Sequence, residues 1–167
     1  MPDTSTEVAI ATQTLSSAAS SITFSSIPAT YTDLRVVVTQ LSASGGVPSI
    51  LRYNSDTATN YSYTDLYGSG TAAGTQRVTS STRIAINDWE TVSTTVPSLA
   101  IINIFSYAGS TFKTCLINTS TDKNGSGYIE NRVGLWRSTS AITTIGIISD
   151  NINNFAIGTT ATLYGIL

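Results

Sequence analysis

Apolar side chains recur at every second residue along much of this chain, and they rarely fall into the three-and-four spacing of a helix. Asp33 to Leu41 places Leu34, Val36 and Val38 on one face, with Val37 and Leu41 on the other. Ser98 to Ser106 sets Leu99, Ile101 and Phe105 opposite Ala100, Ile102 and Ile104, and Lys113 to Thr119 sets Cys115 and Ile117 against Leu116. Successive side chains of an extended chain point to opposite sides, so this alternation predicts strands. Ser21–Phe24, Arg132–Arg137, Ile142–Ile148 and Ala161–Ile166 read the same way, and Ile50–Tyr53, Tyr61–Leu66 and Arg83–Ile86 more weakly. Val, Ile, Thr and Tyr dominate these segments, and branched or aromatic side chains fit a pleated surface.

Between the strands lie turn formers: Ser44-Gly-Gly46, Gly68-Ser-Gly70, Ala108-Gly109, Lys123-Asn-Gly125 and Asp150 to Asn154. Asn124-Gly125 can supply the positive φ angles of a tight hairpin. Leu15 to Ser21 has alanines that tolerate a helix, but its serines compete for the backbone. Short strands broken by frequent turns predict an all-β, single-domain antiparallel β-sandwich or barrel over residues 14–167. Residues 1–13 read as an N-terminal arm or first edge strand. Gly68 to Thr82, small and polar throughout, reads as a long surface loop. A strand apolar on both faces, such as Ser98–Ser106, implies that one face lies in the core and the other against a second subunit or a covering loop.

Composition narrows the chemistry. The chain has no histidine, one cysteine and 18 charged side chains, 8 basic and 10 acidic, while Ser and Thr make up roughly three residues in ten. A net charge of −2 with scattered basic residues argues against a nucleic-acid partner. Met1 to Glu7 lacks the basic and apolar regions of a secretory signal. No run approaches the roughly 18 apolar residues of a spanning helix, so no membrane partner is expected. One cysteine makes no internal disulfide, which fits synthesis in a reducing cytoplasm.

Catalytic constellations are sparse. Without histidine or a Gly-x-Ser-x-Gly elbow, no serine has the base that nucleophilic catalysis requires. Cys115 sits in an apolar strand pattern and reads as a buried, inert thiol. Asp88-Trp89-Glu90 is the one close pair of acids around an aromatic; a strand would put both acids on one face and the indole opposite, and the favoured reading is surface acids with Trp89 packed inward. Asn54 to Asn60 offers oxygen ligands but lacks the dense acids and fixed glycine of a calcium loop, so it reads as a turn. No catalytic residue, metal site or cofactor is therefore expected. Tyr53, Tyr61, Tyr63 and Trp89 remain candidates for an interaction surface, since such rings offer large contact area with few torsions to freeze. The same tyrosines would equally fill a core.

Three segments carry a resemblance. Ile27-Pro-Ala-Thr-Tyr-Thr-Asp-Leu34 within Ser21–Val38, Arg52-Tyr-Asn54 with Asn60-Tyr61, and Leu163-Tyr-Gly165 within Asn154–Ile166 resemble, in order, the opening, middle and closing strand of small jelly-roll domains in virion proteins of tailed bacteriophages. The resemblance implies a jelly-roll-like antiparallel β-sandwich acting as a non-enzymatic structural protein, with no catalytic residues to carry over. In that family the domain serves as a capsid cement (decoration) protein or as a tail or fibre module. A chain that reads as a free-standing domain, with neither heptad stalk nor repetitive shaft, fits cement better. The expectation is then a homotrimer on the capsid surface of the virion, its partner the major capsid protein. The alternative is a tail- or fibre-associated module that binds host glycan.

Overall fold

Twelve strands and no helix form among residues 6–167, the part of the chain that the computed structural model describes. Eight strands build one antiparallel sheet: β1 (Glu7–Thr14), β12 (Thr160–Ile166), β3 (Asp33–Gln40), β8 (Ser98–Phe105), β9 (Lys113–Asp122), β10 (Gly127–Trp136), β5 (Tyr61–Gly68) and β6 (Ala73–Ser81), in that spatial order. The other four form a smaller antiparallel sheet in the order β2 (Ser21–Phe24), β11 (Ile145–Ser149), β4 (Val47–Tyr53) and β7 (Ile84–Val92). From β2 onward the chain crosses between sheets at nearly every connection. The exceptions are three hairpins within the large sheet, β5–β6, β8–β9 and β9–β10. Such wrapping gives a jelly-roll-like sandwich with β9 and its hairpins widening one sheet.

The alternation read from sequence sets which side chains meet between the sheets. Leu34, Val36 and Val38 of β3, Ala100, Ile102 and Ile104 of β8, and Cys115 and Ile117 of β9 face inward. They pack against the small sheet's Ile22, Phe24, Leu51, Tyr53, Ile84, Ile145 and Ile147. Each large aliphatic side chain buried this way contributes about 1.5–3 kcal/mol relative to exposure. The opposite residues of β8 stay in solvent: Leu99, Ile101 and Phe105 are 50, 42 and 43 % exposed.

The corners explain several polar residues that alternation leaves unassigned. Tyr107 donates its hydroxyl to the Pro28 carbonyl and accepts the Tyr31 N–H at 3.3 Å. Asp33 Oδ1 accepts the Ser106 N–H at 2.7 Å, where Ser106 turns with φ 48°. The Tyr31 ring lies flat on Gly165 of β12, where a Cβ would overlap the ring atoms. At the far end Thr159 Oγ1 accepts the Leu41 N–H at 3.1 Å, after Gly158 has turned the chain with φ 86°.

One segment differs from the sequence expectations, and another takes one of the two forms expected of it. Gly68 to Thr82 is not a long loop: a turn at Ser69–Ala72, closed by Ser69 N–H to the Ala72 carbonyl at 2.9 Å, leads straight into β6. An edge strand facing solvent needs no apolar alternation, and β6 carries only Val78 against the core. Its register comes from pairing with β5, from Gly68↔Ala73 to Tyr61↔Ser81. Of residues 1–13, positions 7–13 belong to β1, the edge strand paired with β12, and residues 1–5 lie outside the described part. A bulge between Ala9 and Ala11 re-aims this edge strand, and Ile10 and Ala11 rest against the core.

Candidate functional site

Where β7 leaves its partner β4, the sheet breaks open. Val47 pairs with Val92 and Ser49 with Asn87, so Asp88, Trp89, Glu90 and Thr91 bulge opposite Pro48 alone. Proline has no N–H for the ladder, so the bulge must be satisfied otherwise. The buried Asn87 amide does part of this. Its Oδ1 accepts the Ser49 N–H at 2.7 Å and the Ser49 hydroxyl, and its Nδ2 donates to the Glu90 carbonyl at 2.7 Å. Glu130, reaching across from β10, accepts the Asp88 N–H at 3.2 Å and the Trp89 N–H at 3.3 Å.

Beside Glu130 lies Arg132, whose side chain is fully buried. Its guanidinium donates to the Asp65 carboxylate at 2.6 Å, to Glu130 at 2.9 Å and to the Ala85 carbonyl at 2.7 Å. It also reaches Asp88 at 3.5 Å and sits 4.9 Å from the centre of the Tyr63 ring. Asp65 Oδ2 accepts the Trp89 indole N–H at 3.1 Å, and Asp88 accepts the Tyr63 hydroxyl at 2.9 Å. Three carboxylates therefore surround one cation in a low-dielectric wedge between the sheets. Asp65 Oδ1 and Arg132 Nε are buried without hydrogen-bond partners. Burial pushes the Glu130 carboxyl above its ordinary range, while Arg132 and the bulge N–H groups pull the other way and Asp88 adds to the rise. The cluster clamps the bulge of the small sheet to β5 and β10 of the large one.

These polar groups are turned toward one another rather than toward a ligand. Among the described residues no group of three or more His, Cys, Asp or Glu is arranged to hold a metal. Of the aromatic candidates, Tyr53 and Tyr61 lie fully in the core with Trp136, their ring centres 5.6 and 6.3 Å from its own. Tyr61 also accepts the Tyr53 N–H at 3.1 Å, and burial pushes its hydroxyl up to about 12. Tyr63 is buried beneath Arg132. These three therefore present no surface. Trp89 is 37 % exposed rather than packed inward, because the bulge carries it out of the sheet. It stacks on Tyr67 at 3.8 Å between centres, with Tyr128 beyond. Asp88 and Glu90 part company: Asp88 joins Arg132, and Glu90 pairs with Lys123.

Asp65, Glu130 and Arg132 escaped the sequence reading, although their phase betrays them. Asp65 follows Tyr61 and Tyr63 at two-residue steps, and Glu130 and Arg132 precede Gly134 and Trp136 in the same way. Opposite charges in phase with core residues on two strands signal a buried ion pair. Asn54 to Asn60 forms the expected turn, in which Asp56 accepts the Ala58 N–H at 2.8 Å, the Asn60 amide at 2.9 Å and the Trp136 indole at 2.7 Å.

Cys115 is buried, and the loss of solvent pushes its thiol up to about 11. At pH 8 only about one such thiol in a thousand is ionised, and the thiolate is the nucleophile. Native protein at pH 8 should thus resist a thiol-specific reagent for hours and react fully once denatured; rapid stoichiometric labelling of the folded chain would contradict the burial.

Comparison of the chain with protein-family models, with curated proteins and with solved structures returns no match.

Proposed function

We propose that this chain is a non-enzymatic structural protein of a bacteriophage virion, acting as a capsid cement protein that bridges neighbouring copies of the major capsid protein as a homotrimer. The observation that carries the reading is the outer face of the eight-stranded sheet, broad, apolar and poor in charge. Leu66, Leu99, Ile101, Phe105, Ile129 and Val133 are all exposed there. Such a face suits the association of copies by area, and the modest particle contacts of each copy in such an oligomer add through multivalency. The inward turn of Asp65, Glu130 and Arg132 supports it too, since those charges serve the scaffold. The three family-like segments agree with it, Tyr31 of the first resting on Gly165 of the last.

A second reading draws on Trp89. The half-exposed indole with Tyr67 and Tyr128 forms an aromatic ledge at one end of the sandwich, of the kind that stacks on sugar rings. A tail- or fibre-borne glycan-binding module would use it. Quantitative mass spectrometry of purified particles separates the two. Cement predicts on the order of hundreds of copies per particle, as a repeating lattice of sites requires. A few to a few dozen copies would favour the tail module, and absence from particles would overturn both.

A further inference from the structure

We infer that the outer face of the eight-stranded sheet is the surface through which copies of this chain bind one another. Leu99, Ile101 and Phe105 of β8, Ile129 and Val133 of β10 and Leu66 of β5 are each 42–66 % exposed. The register interleaves them with small polar residues: Leu99 stands opposite Ser120, which stands opposite Ile129; Ile101 faces Asn118, then Asn131 and Leu66; and Val133 stands directly opposite Leu116. No other segment of the described chain covers them. Monomeric proteins rarely leave contiguous apolar patches beyond a few hundred Å².

Area, polarity and charge together point to a second copy. At about 4.8 Å per strand and 3.3 Å per residue, the eight strands offer roughly 1,080 Å². A stable interface needs about 800 Å² from each partner. The outer face of the four-stranded sheet, by the same measure roughly 400 Å², falls short. Among the apolar positions stand Asn103, Asn118 and Asn131, whose amides both donate and accept, and Thr114 and Ser120, whose hydroxyls do the same. They can therefore pair with the same residues of another chain, where a charged row would repel its own copy. Central depletion of charge with apolar enrichment is the character of interfaces between identical subunits.

The outward positions of β12, β8, β10 and β5 carry no charge; charge returns on β1, β3 and β6 and at the end of β9. On the β6 side stands Arg77, exposed; on the other side Glu7 and Asp33 outnumber Arg35, which bridges Glu7 at 3.1 Å and donates to Asn103 at 2.9 Å. The basic margin of one copy thus matches the acidic margin of the next. A heterologous partner would need none of this self-complementarity.

The test is mass in solution, by light scattering or sedimentation, independent of any particle. At tens of micromolar protein, well above the roughly micromolar Kd that an interface of this size supports, the wild type should run above the 17.6 kDa of one chain. Ile101→Lys with Val133→Lys should return it to monomer mass with a still cooperative thermal melt, lowered only by the association it has lost, since both side chains already face solvent in the single chain. If lysine harms folding, Ile101→Thr with Val133→Thr keeps the branched shape and should weaken association at least tenfold. Ile152→Lys, at a 98 % exposed position off the face, should leave the mass unaltered. A dimer or trimer reduced to monomer by the double substitution supports the inference, and a dimer would correct the trimer count alone. A wild type that stays monomeric, or an oligomer that survives the double substitution, overturns it. Because particle copy number tests the virion reading separately, either can fail without the other.

Discussion

Arg132→Met is expected to destabilise the protein by about 3–5 kcal/mol, the usual cost of removing one partner from a buried ion pair. Methionine approximates the volume of the arginine stem, so the loss is electrostatic rather than a cavity. Without the guanidinium, the carboxylates of Asp65 and Glu130 face each other across a water-poor wedge, and the Ala85 carbonyl loses its donor. For a domain of this size the melting temperature should fall by roughly 10 °C or more. The dependence on pH distinguishes the cause. Burial holds the Glu130 carboxyl above its ordinary value, and Arg132 opposes that rise. A raised carboxyl costs stability while ionised, and the cost is relieved as pH falls through its folded-state value. Removing Arg132 raises it further, so the deficit of the variant should shrink as the solution is acidified from neutral. A deficit that is small, or that does not change with pH, would show that the cluster does not clamp the bulge as described.

Gly165→Ala should cost about 1–3 kcal/mol, the usual range for forcing extra atoms into a packed site. The new Cβ falls within the Tyr31 ring, which must move. Tyr31 cannot move freely, since its own N–H is held by Tyr107 Oη, whose hydroxyl in turn donates to the Pro28 carbonyl. Alanine in place of glycine lowers the entropy of the unfolded chain and by itself would stabilise by about 0.4–1 kcal/mol where the backbone allows it. The overlap must exceed that gain. In a Tyr31→Ala background the same change should cost almost nothing, giving a coupling of at least about 1 kcal/mol between the two positions. Equal costs in both backgrounds would mean that the ring does not rest on Gly165.

Much of the sandwich could be read residue by residue. Leu34, Val36 and Val38 point inward as their alternation requires, and Asn124 turns its hairpin at φ 55°. Polar edge strands were the difficulty. β1 and β6 have little apolar face to bury, so neither shows a clear alternation, and their place is set chiefly by pairing with β12 and β5. The aromatic candidates divided on a matter that local pattern cannot supply. Tyr61 and Tyr63 share a face, as two-residue spacing demands, but which face meets the other sheet depends on register. Trp89 reached the surface because a bulge around Pro48 broke the phase that would have turned it inward.

The sequence alone determined the all-β class, the alternating face sets along β3, β8 and β9, and the poverty of proton-transferring side chains. Those properties follow from local sterics, a period of two, and composition. Tertiary structure decided the rest: which strands became neighbours, that Asp65 and Glu130 converge on Arg132 from separate strands, that Tyr31 finds Gly165, and that the second apolar face of β8 is left bare. Each depends on contacts between residues distant along the chain, whose energies are settled only when both sheets close on a common core.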